Sequence, residues 1–249
     1  MEFCECIMLS CSVRWYTQYS MKFVKADKSA AARAIAKVIC DGVVVGKRVL
    51  WLVSGGSNIA VEKDIMDMLQ AHAEGYLAGL AIMPVDERYG PAGHKDSNVQ
   101  QLREAGFELG TATLLDVLVH NTPFDQTVSF YSDMTATVLA NADLIVGQFG
   151  MGADGHVAGI KPNSPATLAD ESTVTGYDWE DYQRMTLMPA ALRQVTHSFL
   201  VAYGADKRAH LEHLQKNDQP FTKLPAMLLY ELPDVYIYND QIESEGYKT

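Results

Sequence analysis

Arg48-Val-Leu-Trp-Leu-Val-Ser54-Gly55-Gly56-Ser57 joins an unbroken apolar run to two glycines flanked by serines. A run with no polar alternation suits a strand covered on both faces, as in a parallel sheet packed between helices. The glycines end it, and residues 57–72 then read as a helix, with Ser57 or Asn58 placed to cap it. Working outward, residues 29–40 are Ala-rich and amphipathic, which predicts a helix. Residues 77–85 (LAGLAIMPV) predict a strand ending at Asp86-Glu87-Arg88. Residues 97–104 and 124–140 read as helices, and residues 142–146 (ADLIV) as a short buried strand that enters a glycine-rich stretch, 147–159. Residues 198–203 and 234–238 predict two further strands, with a helix over 205–215 between them. Alternating strands and helices imply right-handed crossovers and an α/β fold with a mostly parallel central sheet flanked by helices. Ligands of such sheets bind beyond the carboxyl ends of the strands. The polar clusters after Ser54, Val85, Val146 and Tyr203 fall at those ends.

The chain has 249 residues, enough for one large domain, and 48% are hydrophobic, so a core forms without metal or disulfide support. Lys plus Arg total 20 against 31 Asp plus Glu, a net charge of −11. That balance argues against nucleic acid, which needs a basic face. A bound phosphate has to be held by a few local cations and backbone N–H groups against the field of the whole molecule. Cys4, Cys6 and Cys11 cluster at the start and Cys40 stands alone, with no second cluster to complete a zinc site. This placement predicts no disulfide framework and fits a reducing, cytoplasmic setting. Residues 1–20 differ in composition from the rest and read as an atypical extension or a small cap; they lack the basic start and cleavage site of a signal peptide. No run of about 18 apolar residues predicts a membrane span.

Ser54-Gly55-Gly56-Ser57 suits either an anion site at a helix N-terminus or a tight strand-to-helix turn. It matches neither the P-loop nor the dinucleotide fingerprint. Asp86-Glu87-Arg88 is either a solvated ion pair or a site in which Arg88 grips phosphate and Asp86 holds a hydroxyl or moves a proton. Gly150-Met-Gly152-Ala-Asp154-Gly-His156 sets an Asp and a His among three glycines directly after a strand. An imidazole titrates near pH about 6.5 unperturbed and can accept a proton from water at neutral pH. Asp154 is close enough in sequence to orient it, and backbone N–H groups of the glycines can face a developing oxyanion. Arg184 and Lys207 complete the basic set, or are surface charges. His210 and His213 share a helical face but lack a carboxylate or cysteine at metal-site spacing. No GxSxG elbow supports a serine triad.

In this order the motifs resemble the 6-phosphogluconolactonase family, which is related to the glucosamine-6-phosphate deaminases. The matching stretches are Ser54-Gly-Gly-Ser57, Asp86-Glu-Arg88 with Ser97-Asn98, Gly150-Met-Gly-Ala-Asp-Gly-His-Val-Ala158, Arg184-Met-Thr-Leu187, Gly204-Ala-Asp-Lys207 and Leu224-Pro-Ala226. The resemblance spans about residues 21–240. It implies a modified Rossmann-like single domain over 21–249 that hydrolyses 6-phospho-D-glucono-1,5-lactone to 6-phosphogluconate, a step of the pentose phosphate pathway. No metal or other cofactor is implied. The implied partner is a small sugar phosphate, with no nucleic acid or membrane, and the chain acts as a monomer or homodimer. His156 would be the general base on water and then the acid toward the ring oxygen, with Asp154 orienting it. Arg88, Arg184 and Lys207, with the Ser54–Ser57 turn, would hold the 6-phosphate, and Asp86, Asn98 and Gly152 belong to the implied binding set.

The sequence also departs from the family pattern. The deaminases carry a glutamate five residues past the histidine, where this chain has Lys161, and tend to have Tyr where it has Arg88. Lactonases usually read His-Thr-Ala-Ser-Leu-Phe-Pro; here the stretch is His156-Val-Ala-Gly-Ile-Lys-Pro162. Lys161 and Arg88 both point to the lactonase branch, with an amino-sugar-phosphate deaminase or isomerase as the rival. The altered Gly159-Ile160-Lys161 segment and the atypical N-terminus leave a non-catalytic sugar-phosphate sensor as a second alternative.

Overall fold

The apolar run after Arg48 forms an interior strand of a layered α/β structure, a computed structural model that describes residues 21–168 and 172–243. The extension over residues 1–20 lies outside the described residues. In chain order the described elements are β1 (Lys22–Lys25), α1 (Lys28–Val44), β2 (Val49–Val53), α2 (Ile59–Ala73), β3 (Leu80–Pro84), β4 (Asp86–Arg88), α3 (Asn98–Glu104) and β5 (Thr113–Leu114). They continue with α4 (Phe124–Asn141), β6 (Leu144–Gly150), β7 (Val174–Asp178), β8 (Gln183–Leu187), α5 (Pro189–Leu192), β9 (His197–Ala202), α6 (Arg208–Lys216) and β10 (Val235–Asn239).

Seven strands form one sheet in the order β1-β10-β9-β6-β2-β3-β5, and every pairing in it is parallel. All five residues of β2 are buried, because its two faces serve two cores. Val49, Trp51 and Val53 pack with Ile35 and Ile39 of α1 and Ile65 and Leu69 of α2. Leu50 and Leu52 pack on the other side with Tyr131 and Leu139 of α4 and Leu187 of β8. This explains why the run shows no alternation. From β2 the chain steps outward to β3 and β5, then returns to the other side of β2 as β6 and continues outward to β9 and β10. The carboxyl ends of β2 and β6 therefore flank the point where the winding reverses, and a crevice opens there.

Several sequence expectations are corrected. The Lys22–Lys25 edge strand and a second, antiparallel sheet in the order β4-β8-β7 were not foreseen, because these segments are short and polar or only half apolar. Residues Glu74–Gly79 form a 3-10 turn, so β3 begins at Leu80 and not at 77. β6 runs to Gly150, so the first residues of the glycine-rich stretch belong to the strand. Neither Ser57 nor Asn58 caps α2 with its side chain; a 3-10 turn (Gly56–Asn58) precedes the helix instead. The Asn58 amide donates to Ser54 Oγ at 3.1 Å and to the carbonyls of Phe149 and Val201, tying three strand ends together. Among the described residues no helix is long and apolar enough to cross a membrane.

Candidate active site

β2 delivers Ser54–Ser57 to the crevice. Glu62, one turn into α2, reaches back and accepts hydrogen bonds at Oε1 from Ser54 N (2.9 Å), Gly55 N (3.0 Å) and Ser54 Oγ (3.2 Å). The sequence reading missed this residue. Its signal was a charge in register with the buried stripe of α2, between Val61 and Ile65. Burial pushes the Glu62 carboxyl up to about 7, against those three hydrogen bonds. Two amides of the turn are thus already used. Those of Gly56 and Ser57, at the start of the 3-10 turn, have no intrahelical acceptor and remain available to an anion.

In β4 alternation separates three charges. Asp86 and Arg88 face one side and Glu87 the other. Glu87 accepts from Arg88 N, Asn98 N, Val99 N and Ser97 Oγ at 2.7–3.2 Å, so it anchors the start of α3. Burial pushes its carboxyl up to about 7 as well, with the hydrogen bonds opposing. Asn98 is buried; its side-chain amide donates to Asp86 O at 2.8 Å, and it does not line the crevice. Asp86 is also buried, and burial raises its carboxyl against the pull of Arg184, Arg88, His156 and Lys161.

Antiparallel pairing of β4 with β8 places Arg88 opposite Arg184 and Asp86 opposite Thr186. Sequence separation concealed this pairing. Both guanidinium groups lie near the Tyr182 ring, at 5.8 and 6.0 Å. Arg184 is buried and forked onto Asp181, with Nη2 at 2.7 Å, and its Nη1 is 4.0 Å from Asp86 Oδ2. Arg88 Nη1 donates to Asp96 O at 2.9 Å, while its buried Nε has no hydrogen-bond partner among the described residues.

The loop after β6 folds tightly, with Gly152 N donating to His156 O at 3.0 Å and Gly155 N to Gly152 O at 3.0 Å. A Cβ on Gly152 would sit 2.0 Å from His156 Nδ1, so the imidazole occupies the space of the absent side chain. Asp154 Oδ1 lies 2.5 Å from His156 Nδ1, and Asp154 Oδ2 lies 3.1 Å from Lys161 Nζ. Partial burial works to raise the Asp154 carboxyl, but the bonds from His156 and Lys161 outweigh it and hold it well below the usual carboxylate range. Gly159 has φ +69°, and a Cβ there would sit 2.5 Å from Cβ of Asp86. This accounts for glycine where the resemblance leads one to expect serine.

The strand ends converge on one cleft of about 270 Å³. Ser54 to Ser57 line it after β2, and Asp86 and Arg88 after β3. Gly152, His156 and Lys161 line it after β6, and Arg184 and Lys207 close it from β8 and the turn after β9. Lys207 Nζ lies 2.6 Å from Asp206 Oδ2. Asp154 stands behind His156 and, like Asn98, is not part of the lining. His210 and His213 are engaged elsewhere, with Ala153 O and Asp218. Among the described residues, no group of three His, Cys, Asp or Glu is placed to hold a metal.

Residues 25–235 match the family model described as glucosamine-6-phosphate isomerases/6-phosphogluconolactonase. The chain belongs to this family. A Dictyostelium discoideum protein named "Probable 6-phosphogluconolactonase" is 25% identical over 225 residues, covering 84% of this chain and 93% of that one. A 6-phosphogluconolactonase of Helicobacter pylori J99 is 28% identical over 151 residues, 59% of this chain and 65% of that one. Among solved structures, the 6-phosphogluconolactonase of Trypanosoma brucei aligns with TM-score 0.70 at 20% identity, over 90% of this chain and 97% of that one. A monomeric glucosamine-6-phosphate deaminase aligns equally well, with TM-score 0.71 at 14% identity over 88% and 96%. Both branches of the family therefore share this fold, and the fold does not choose between their reactions.

Proposed function

We propose that the chain hydrolyses 6-phospho-D-glucono-1,5-lactone to 6-phosphogluconate without a metal, with His156 as general base. The observation that carries this reading is the cation beside the imidazole. Lys161 Nζ lies 3.1 Å from His156 Nδ1, where a deaminase of the related branch would offer a carboxylate. A carboxylate assists opening of an amino-sugar ring; a lysine cannot take that part. The named relatives support the same branch.

Nδ1 lies 2.5 Å from an acceptor-only carboxylate, so it carries the proton and Nε2 is left free to accept one. Nε2 removes a proton from water as the water oxygen bonds to C1 of the lactone. The tetrahedral centre then collapses, the C1–O5 bond breaks, and Nε2–H returns the proton to O5. Acid–base assistance of this kind supplies roughly 10²–10⁴-fold. Arg88, Lys207 and the amides of Gly56 and Ser57 hold the 6-phosphate, while Arg184, already paired with Asp181, shapes the wall between them. Asp86 accepts from a ring hydroxyl. Freshly prepared lactone, coupled to oxidation of the phosphogluconate formed, should turn over well above its spontaneous rate, and glucosamine 6-phosphate should release no ammonia. Ammonia release without lactone turnover would reverse the assignment.

A further inference from the structure

Lys161 is a lining cation that adjoins the proposed base, and its position follows from local structure. The isolated bridge between Val157 and Ile160 turns the chain back, and the Lys161 side chain re-enters the cleft, 15% exposed. Its ammonium lies 3.1 Å from both Asp154 Oδ2 and His156 Nδ1. These two contacts are not equivalent. Nδ1 already carries its proton toward Asp154 Oδ1, and an ammonium has donors only, so Lys161 forms no hydrogen bond with the ring. It gives one N–H to Asp154 Oδ2 and keeps two for the cleft that it lines.

The proposed reaction turns a neutral ester carbonyl into an oxyanion, and then into a carboxylate, beside this ammonium. Preorganised donors aimed at such a charge act most strongly in a partly dry cleft. Resting on the lactonase reading, we propose that Lys161 is a further catalytic and specificity-determining residue whose ammonium contacts the acyl oxygen on C1. As the water oxygen bonds to C1 and Nε2 of His156 takes its proton, the carbonyl π pair moves onto the acyl oxygen, where Lys161 receives it. The pair returns as the C1–O5 bond breaks and O5 takes the proton from His156. The new carboxyl group loses its proton to solvent and remains as an anion against Lys161. Asp154 holds the ammonium in place, so one carboxylate positions both the base and the electrophile.

The experiment compares two ligands that differ only at C1: 6-phospho-D-gluconate, which carries a carboxylate, and D-glucitol 6-phosphate, which carries a hydroxymethyl group. Their dissociation constants are measured for wild type, Lys161→Met, Lys161→Gln and Lys161→Arg, with melting curves to show that each variant is folded. The expected result is a loss of about 10-fold or more in affinity for the acid in Lys161→Met and Lys161→Gln, with the alditol within about 2-fold. Lys161→Arg should recover part of the difference, and kcat on the lactone should fall by about 10–10²-fold in the neutral variants. Equal losses for both ligands make Lys161 a phosphate contact and overturn the proposal. No loss for either makes it an ion-pair partner of Asp154 alone, which also overturns it. Failure of the wild type to hydrolyse the lactone refutes the lactonase reading instead, and the acid-to-alditol ratio is read independently of turnover.

Discussion

Behind the lining of the cleft stand Asp154 at the His156 end and Glu62 beneath the Ser54–Ser57 turn, and these two carboxylates are treated in opposite ways. The Asp154 side chain is 44% exposed and meets an ammonium and an imidazole N–H, so it stays ionised. Glu62 is wholly buried and meets only two neutral amides and a hydroxyl, and its carboxyl is pushed up to about 7. Neutral donors offset only part of the cost of burying a charge, whereas a charged donor near solvent offsets most of it. The difference separates tasks. The reacting end keeps full charges that can respond to the substrate, and the anion-holding end is scaffolded by a group close to neutrality. A Glu62 near neutrality repels a phosphate less than a fully ionised carboxylate would, and Asp86 in the lining is offset by Arg184 and Arg88, although the whole chain carries −11.

Substitutions at the two ends should therefore separate kcat from KM. At the reacting end, His156→Ala should lower kcat on the lactone by about 10²–10⁴-fold with KM within about 3-fold. Steady-state kinetics on freshly made lactone reads this directly, and a wild-type kcat would remove the base from the mechanism. Gly152→Ala should displace the imidazole without touching the phosphate end, for a kcat loss of about 10²-fold. Its unchanged melting temperature would separate the effect from misfolding. At the other end, Arg88→Ala should raise KM by roughly 10-fold or more and leave kcat within a few-fold. A kcat loss larger than the KM change would place Arg88 at the reacting carbon instead.

The smallest kinetic effect belongs to the scaffold, where Glu62→Gln should change KM by only a few-fold and be seen mainly in stability. A carboxyl raised from 4.5 to about 7 on folding binds its proton more tightly in the native state. Its contribution is therefore complete below about pH 4.5 and is lost as pH rises through about 7, on the order of 3 kcal/mol. Glu87 acts in the same direction. Glu62→Gln should flatten part of the decline in unfolding free energy between those pH values, with Glu87 and Asp86 left to supply the rest, read from denaturant titrations. An unchanged slope would mean that Glu62 is ionised in the fold across that range.

What the sequence made legible follows from the kind of interaction involved. β2, β3, β6, β9 and β10 declare themselves because burial on both faces leaves apolar runs, and the tight loop declares itself because Gly152 has to admit an imidazole. The β4-β8-β7 sheet did not, since Asp86-Glu87-Arg88 and Gln183-Arg184 are polar and pair only through tertiary structure. For the same reason, no spacing rule places Arg184 opposite Arg88. Glu62 and Glu87 were passed over because their partners are main-chain amides, which carry no residue identity. Lys161 was visible as a departure from the family pattern, but its meaning required the position of its ammonium.

A structure determined with 6-phosphogluconate bound tests the central claim most directly, because the account assigns each end of the cleft to one end of a single molecule. The phosphate should rest against the amides of Gly56 and Ser57 with Arg88 and Lys207, and C1 should lie beside His156 Nε2 with its carboxylate accepting from the Lys161 ammonium. A phosphate lodged between His156 and Lys161, or a ligand seated outside this cleft, would contradict it.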